Sequence, residues 1–330
     1  MKITYIFGAG ASCGALPMIG QIPERINLMI NLLESQPHGI DLAKEWKFQN
    51  HRTTFGGILE KLIEELKWLE KNSANHASID TFAKKLTITQ SWNVLQKLKR
   101  AFSAYFVLEQ IICPVEKRYD SFFAAILNED GELPKNVRIL SWNYDAQFEK
   151  AYSEYSQLKE IDRNRHLLNV IQKNATRSQS KEKFCLIKLN GSCSIIESSV
   201  NVYEFCDPFK CDINPEVLEH LLASYYQVEI FPGLRPALSF AWEKQGIDIV
   251  DYAIKETEDS EILVIIGYSM PYFNREIDRE IIRSMKNLKK VYFQSPEAES
   301  LKDRFLTVRT DVSNLVSVND LKQFYLPGEL

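Results

Sequence analysis

Three short segments bring together the side chains with chemical potential: Gly8-Ala9-Gly10-Ala11-Ser12, Ser141-Trp142-Asn143-Tyr144-Asp145 and Asn190-Gly191-Ser192. Glycines let backbone N–H groups approach a pyrophosphate without Cβ interference, and a helix N-terminus beyond the loop turns partial positive charge toward it. Asn143 offers a donor and an acceptor that can place a water or a hydroxyl without bringing charge. Asp145 can accept from an amide or favour a cationic centre. A plainer reading stands beside each. The glycines equally suit a tight strand-to-helix turn without ligand, and Asp145 equally suits a helix cap with Asn143 bonded to its own turn. Gly14 falls one place late for dinucleotide-dehydrogenase spacing. No acidic residue closes a second strand about 20 residues on, because Glu34 follows the apolar helical run Ile26 to Leu33, and the ordinary dehydrogenase reading is weakened.

The elements that must position these residues are strands with continuous apolar character: Lys2 to Phe7, Val137 to Leu140, Phe184 to Leu189, Ile262 to Ile266 and Lys290 to Phe293. Such runs suit strands covered on both faces, and the helical stretches Ala146 to Tyr155, Trp242 to Lys255 and Arg275 to Met285 suit right-handed crossovers. Between them, Glu24 to Leu33, Ile58 to Leu69, Trp92 to Ile112 and Tyr119 to Leu127 read as helices with hardly any strand signal. Ser78 reads as the cap of a further short helix, after a polar loop from Asn72. Residues 157–183 read as a polar surface connection, with a helix around His166 to Gln172. The fold expected is α/β: a doubly wound, Rossmann-like parallel sheet of about six strands from residues 1–23 and 136–330, with a helical insertion at 24–135. Ligands of such sheets lie beyond the carboxyl ends of the strands. The segments there are the three above, together with Gly267-Tyr268-Ser269-Met270 and Gln294-Ser295-Pro296.

In order and spacing these segments resemble the sirtuin superfamily, and within it the bacterial sirtuin-like NAD-consuming domains of antiphage defence. The resemblance runs over nearly the whole chain. It implies that Gly8, Ala9, Gly10, Ala11 and Ser12, with the downstream Ile22-Pro23, bind the phosphates of NAD. It implies that Asn143 and Asp145 of the Asn-x-Asp strand end are catalytic. Lys188-Leu189-Asn190-Gly191-Ser192 corresponds to a Lys-Leu-His-Gly-Ser segment, with Gly191 at the ligand. Gly267, Tyr268 and Ser269 of the Gly-Tyr-Ser-Met-Pro run resemble an adenosine-side loop, followed by Asp278 in an amphipathic helix, and Ser295 lies at the next strand end. The insertion with Ser-Ile-Asp-Thr-Phe is also similar to the bacterial members. The implied activity is hydrolysis of NAD+ to nicotinamide and ADP-ribose, the NAD-depleting step of a defence system. Breaking that bond develops oxocarbenium character at the ribose, so it requires an oriented nucleophile and fixed polar groups beside that carbon.

Asn190 departs from the pattern. A histidine could take a proton near neutral pH, whereas an amide cannot titrate. Asn190 acts in orientation alone, another group such as His166 or His220 substitutes, or the protein is a silent NAD- or ADP-ribose-binding regulatory or scaffold subunit. An engineered histidine-to-asparagine change would leave the same pattern. Protein deacylation is the weaker alternative, since it needs the histidine and usually a four-cysteine zinc module.

The 330 residues are 45% hydrophobic, and 40 basic against 44 acidic side chains leave a net charge of −4, which gives no electrostatic footprint for nucleic acid or anionic membrane. No apolar run approaches the roughly 20 residues that span a bilayer, and no secretory signal opens the chain, so a cytoplasmic location is expected. The six cysteines, 13, 113, 185, 193, 206 and 211, contain no Cys-x-x-Cys pair, so reduced thiols, mostly in the core, and no metal site are expected. Because unregulated NAD loss is toxic, the resemblance further implies a homo-oligomer, a companion sensor protein, including one that senses a nucleotide, or both. The insertion is the expected contact surface, with Phe102, Tyr105 and Phe106 either there or in the core.

Overall fold

Strand β1 (Ile3–Phe7) is buried at every position, and its side chains alternate between two apolar layers. The computed structural model describes residues 1–35, 39–172, 183–199, 201–210, 212–243 and 249–330. Six further strands join β1 in one sheet: β2 (Val137–Ser141), β3 (Val170–Ile171), β4 (Cys185–Lys188), β5 (Ile262–Ile266), β6 (Lys290–Gln294) and β7 (Asn314–Val318). Their order is β7-β6-β5-β1-β2-β4-β3, and every pair is parallel. The chain therefore builds outward from β1 in both directions, and β1 is the switch point of a doubly wound, Rossmann-like sheet. In register, Phe7 pairs with both Ile266 and Ser141, and Ser141 pairs with Lys188. The segments after β5, β1, β2 and β4 thus leave the sheet along one rim.

Tyr5 and Phe7 face a layer containing Phe122, Phe123, Phe148 and Phe324, formed with α1 (Lys117–Ile126) and α2 (Gln147–Ser156). Ile6, Leu263 and Ile265 face the other layer. It contains residues of α4 (Ile249–Thr257), α5 (Arg275–Ser284) and α6 (Ala298–Leu306). A short α3 (Ile161–Leu167) precedes β3. Two covered faces explain the continuous apolar strands, each large buried side chain contributing about 1.5–3 kcal/mol.

The chain divides into two units by contact: residues 1–15, 115–191 and 239–330 carry the sheet, and residues 16–114 and 192–238 form the other. The second unit contains helices Ile22–Ser35, Phe55–Ala74, Ile79–Ile88, Trp92–Ile112 and Pro215–Ile230. Ser78 caps the third of these by accepting from the Thr81 amide at 3.1 Å. Helix Trp92–Ile112 is buried continuously from Leu98 through Ile111, so Phe102, Tyr105 and Phe106 are core residues and offer no docking face. Its Arg100 donates to Glu65 at 2.5 Å, and Tyr225 donates to the same carboxylate.

The seven-stranded sheet agrees with the expected parallel sheet of about six strands; the edge strands β3 and β7, two residues long and half-exposed respectively, carry the weakest sequence signal. Several other expectations require correction. The helix expected over His166–Gln172 is instead the end of α3 followed by β3, with Asn169 at φ 46° breaking the helix before β-branched Val170-Ile171. Within the insertion, Glu45–Phe48 and His51–Thr54 pair as an antiparallel hairpin. Helix Phe55–Ala74 takes up the start of the expected Asn72–Ser78 loop. Trp242 lies in a turn and α4 begins at Ile249; residues 244–248 of that expected helix lie outside the described residues, as does Cys211. Of the other cysteines, Cys113, Cys185, Cys193 and Cys206 are buried and Cys13 is exposed. Among the described residues, no helix is long and apolar enough to cross a membrane, and no cluster of three His, Cys, Asp or Glu has metal-ligating geometry.

Candidate functional site

The glycines after β1 have a steric reason that involves the loop after β5. A Cβ on Gly8 would meet the Tyr268 Cα at 2.6 Å, and one on Gly10 would meet the Gly267 Cα at 2.7 Å. Gly267 itself has φ +58°, and its Cβ would lie 2.3 Å from the Gly10 carbonyl carbon. The two loops interlock where neither tolerates a side chain. The amides are engaged as well: Gly8 donates to Ile266 at 3.1 Å, Gly10 to Gly267 at 2.9 Å, Ala11 to Gly8 at 2.8 Å and Ser12 to Ala9 at 3.1 Å. Close packing of two loops is thus sufficient to require glycine here, and four of the amides expected to face a pyrophosphate are bonded within the protein.

Glu116 and Arg118, at the start of α1, grip the same loop from the other side. The Arg118 guanidinium donates to the Gly10 carbonyl at 2.9 Å and the Ala11 carbonyl at 3.2 Å, and Glu116 accepts the Gly14 amide at 2.6 Å. Burial opposes ionisation of Glu116, but Arg118 at 3.0 Å prevails and holds the carboxyl below its ordinary value.

Ser12 is the point where the expected catalytic residues meet. Asn143 Nδ2 donates to Ser12 Oγ at 3.3 Å, the Tyr119 hydroxyl lies 3.2 Å from the same oxygen, and the Ser12 side chain helps to favour the ionised form of the Asp145 carboxyl. Ser12 Oγ accepts from Asn143, and between the Ser12 and Tyr119 hydroxyls either can donate to the other. Tyr119 is fixed by edge contacts with Phe148 at 5.6 Å and Phe324 at 5.0 Å between ring centroids. The amide of Asn143 is thereby oriented: its nitrogen faces Ser12, and its oxygen is the branch left to accept.

Asp145 is buried, and its Oδ1 accepts the Gln147 amide at 3.0 Å, a local turn bond just before α2, whose N-cap is Ala146 with no side-chain cap bond. Burial raises its pKa, while Lys188 pulls in the opposite direction. Lys188 comes from β4, donates to the Asp145 carbonyl oxygen and pairs with Glu149 of α2 at 3.2 Å, both side chains being almost fully buried. This lysine ties the turn carrying Asn143 to the neighbouring strand.

Asn190, after β4, is buried and donates from Nδ2 to the Trp142 carbonyl at 3.2 Å, while its Oδ1 has no hydrogen-bond partner among the described residues. Gly191 follows at φ +71°, a conformation that favours glycine. Trp142 stacks on Tyr268 with centroids 5.9 Å apart, and the Tyr268 hydroxyl donates to Asp278 at 2.7 Å. Asp278 is buried in α5, and burial pushes its carboxyl up to about 7 against the opposing pull of Tyr268 and Trp142. Ser269 is exposed. Ser295 accepts the Glu297 amide at 3.2 Å before α6, so its hydroxyl shapes that turn. Ile22 and Pro23 open the first helix of the second unit. His166 of α3 and His220 of helix Pro215–Ile230 are both exposed.

The structure therefore gathers Ser12, Asn143 and Tyr119 into one hydrogen-bonded group, with Asp145 buried two residues beyond Asn143 and Asn190 on the carbonyl of the residue before it. The sequence reading omitted Glu116, Arg118, Tyr119 and Glu149, and gave Lys188 no role. Lys188 left a signal: a lysine inside an apolar strand must find a buried partner.

No protein-family model and no curated protein matches the sequence. Similar solved structures are Sir2 proteins. They include a Sir2 homolog in complex with NAD, at 13% identity over 96% of this chain and 82% of that one, with a TM-score of 0.44. Sir2Tm bound to a propionylated peptide is 12% identical over 97% of this chain and 88% of that one, at 0.43. Sir2 with the inhibitor EX-527, 2′-O-acetyl-ADP-ribose and a deacetylated p53 peptide is 13% identical over 97% and 88%, at 0.41. All three scores lie below 0.5, and the fold described above stands on strand order and register.

Proposed function

We propose that the protein binds NAD+ at the rim beyond β5, β1, β2 and β4 and hydrolyses it to nicotinamide and ADP-ribose. The observation that carries this reading is the Ser12-centred group, which fixes the Asn143 amide at the switch point of the sheet, where open α/β sheets take their ligands. In the reaction, the bond between the ribose C1′ and the nicotinamide nitrogen breaks and its electron pair leaves with nicotinamide. A water oriented by the Asn143 oxygen forms the new C1′–O bond and releases its proton to solvent, so NAD+ and water give nicotinamide, ADP-ribose and a proton. Asp145, when ionised, offsets positive charge developing on the ribose. Asn190 orients and accepts no proton. Gly8 to Ser12, Gly191, Gly267 to Ser269 and Ser295 are proposed to contact the dinucleotide. Depletion of NAD in a defence response, under control of self-association or a companion sensor, is the cellular role this chemistry fits.

The test is nicotinamide release from NAD+ by the purified protein, alone and with candidate activators, in parallel with Asn143→Ala. Release that Asn143→Ala abolishes supports the proposal; no release under any condition overturns it. Asn190 favours a second reading, a silent NAD- or ADP-ribose-binding subunit. Calorimetric binding without turnover, and activity appearing only in Asn190→His, would establish that alternative.

A further inference from the structure

A cavity of about 330 Å³ opens within the sheet-bearing unit, away from the Ser12 group, among Met270, Pro271, Tyr272, Arg275, Asp278 and Arg304. That volume lies at the small end of ligand pockets. Two of its walls are cationic. The half-buried guanidinium of Arg275 makes no ion pair or hydrogen bond among the described residues. Arg304 reaches in from α6, held by a bond to the Ser269 carbonyl at 2.6 Å, with Glu297 only loosely alongside at 3.9 Å. Arg304 is 47% exposed at its side chain and Arg275 is of intermediate burial, so both guanidiniums are open to a charge-assisted partner entering the cavity. The third wall is apolar and aromatic: Tyr272 is 81% exposed, an unusual position for a large ring, and it stands beside Pro271 and Met270. Asp278 is the one acid at the cavity wall, and burial keeps it largely protonated below pH 7, so it does not repel an anion there. The first turn of α5, a ten-residue helix, forms the same wall and adds its dipole.

We propose that this cavity binds a small oxyanion, a phosphate monoester or a carboxylate, carried on a flat apolar group. Arg275 and Arg304 take the anion, while Tyr272, Pro271 and Met270 take the apolar part. This binding does not depend on the dinucleotide reading. The wall residue Asp278 bonds to Tyr268, which stacks on Trp142, so the pocket is one side chain removed from the turn that bears Asn143.

The experiment is calorimetric titration of the full chain with phenyl phosphate and with inorganic phosphate at fixed ionic strength. Wild type is compared with Arg275→Gln, Arg304→Gln and the double variant, each checked for an unchanged circular dichroism spectrum. Wild type binds phenyl phosphate saturably and more tightly than inorganic phosphate, and each single variant weakens binding about tenfold or more, the loss expected for one charge-assisted contact. Equal binding by the double variant, or no saturable binding by wild type, overturns the proposal. Equal affinity for phenyl phosphate and inorganic phosphate overturns the assignment of the apolar wall. NAD+ titrated into the same proteins separates the two sites. NAD+ binding that survives the arginine changes, and phenyl phosphate binding that survives Asn143→Ala, support two sites. Joint loss of both ligands in the arginine variants overturns the separation.

Discussion

Replacing Asp278 by Asn tests the buried carboxyl directly, because the amide keeps the shape and can still accept from Tyr268. Asp278 faces the Tyr268 hydroxyl and the Trp142 indole at its back, and Arg275 and Arg304 line the cavity on its other side. Its carboxyl is raised from 3.8 to about 7. Between those values the folded protein keeps a proton that the unfolded chain has released. The associated stability is therefore complete below 3.8 and is lost as pH rises to about 7. A difference of about three pH units at 1.36 kcal/mol each amounts to about 4 kcal/mol, and about 3 kcal/mol of that falls between pH 5 and 8. The side chain is fully buried, so solvent screening makes no large reduction. Urea unfolding of both proteins at half-unit pH steps is the assay. Wild type should lose about 3 kcal/mol relative to Asp278→Asn across pH 5 to 8. Parallel curves within about 1 kcal/mol would refute the reasoning, since they would mean that Asp278 ionises as readily in the folded protein as in the unfolded chain.

Three further outcomes are expected. Gly267→Ala places a Cβ 2.3 Å from the Gly10 carbonyl carbon at φ +58° and should cost at least about 3 kcal/mol, whereas Gly20→Ala, with nothing within 4 Å, should change thermal stability little; equal melting temperatures would count against the interlocked loops. Lys188→Met leaves Glu149 and Asp145 buried without their cation and should cost about 3–5 kcal/mol, with part recovered on adding Glu149→Gln; a cost below about 1 kcal/mol in denaturant unfolding would show that the pair is solvated. Asn143→Ala should lower nicotinamide release about 100-fold or more, far beyond the loss of about 1–2 kcal/mol in stability expected from deleting one buried hydrogen bond; release within threefold of wild type would exclude Asn143 from the reaction.

The central strands were legible because both faces of the sheet are covered, which makes their apolar runs continuous. Val137–Ser141 and Ile262–Ile266 lie within a residue of where the sequence puts them. Edge strands lack that signature: Val170–Ile171 has two residues, and Asn314–Val318 mixes polar with apolar positions that stay half-exposed. The glycines at 8 and 10 were visible, but a missing Cβ does not say which neighbour requires its absence, and the loop after β5 lies far away in sequence. Asn143 and Asp145 were found because they follow a strand directly. Tyr119 was passed over because an aromatic at helical spacing reads as core. Its ring does belong to the core, and only the hydroxyl reaches Ser12. Arg138 shows the same gap as Lys188: a cation in an apolar strand, completed by Glu256 at 3.6 Å from a helix more than a hundred residues away.

The position of β1 has a kinetic corollary. Its two neighbours are residues 137–141 and 262–266, and the helical unit is itself assembled from two separated stretches of chain. Contacts at the middle of the sheet therefore close very large loops, a topology that folds slowly and holds unpaired strand edges open while it waits. Refolding from denaturant should show a slow phase that becomes prone to association as protein concentration rises, and neither unit can be excised as one continuous fragment.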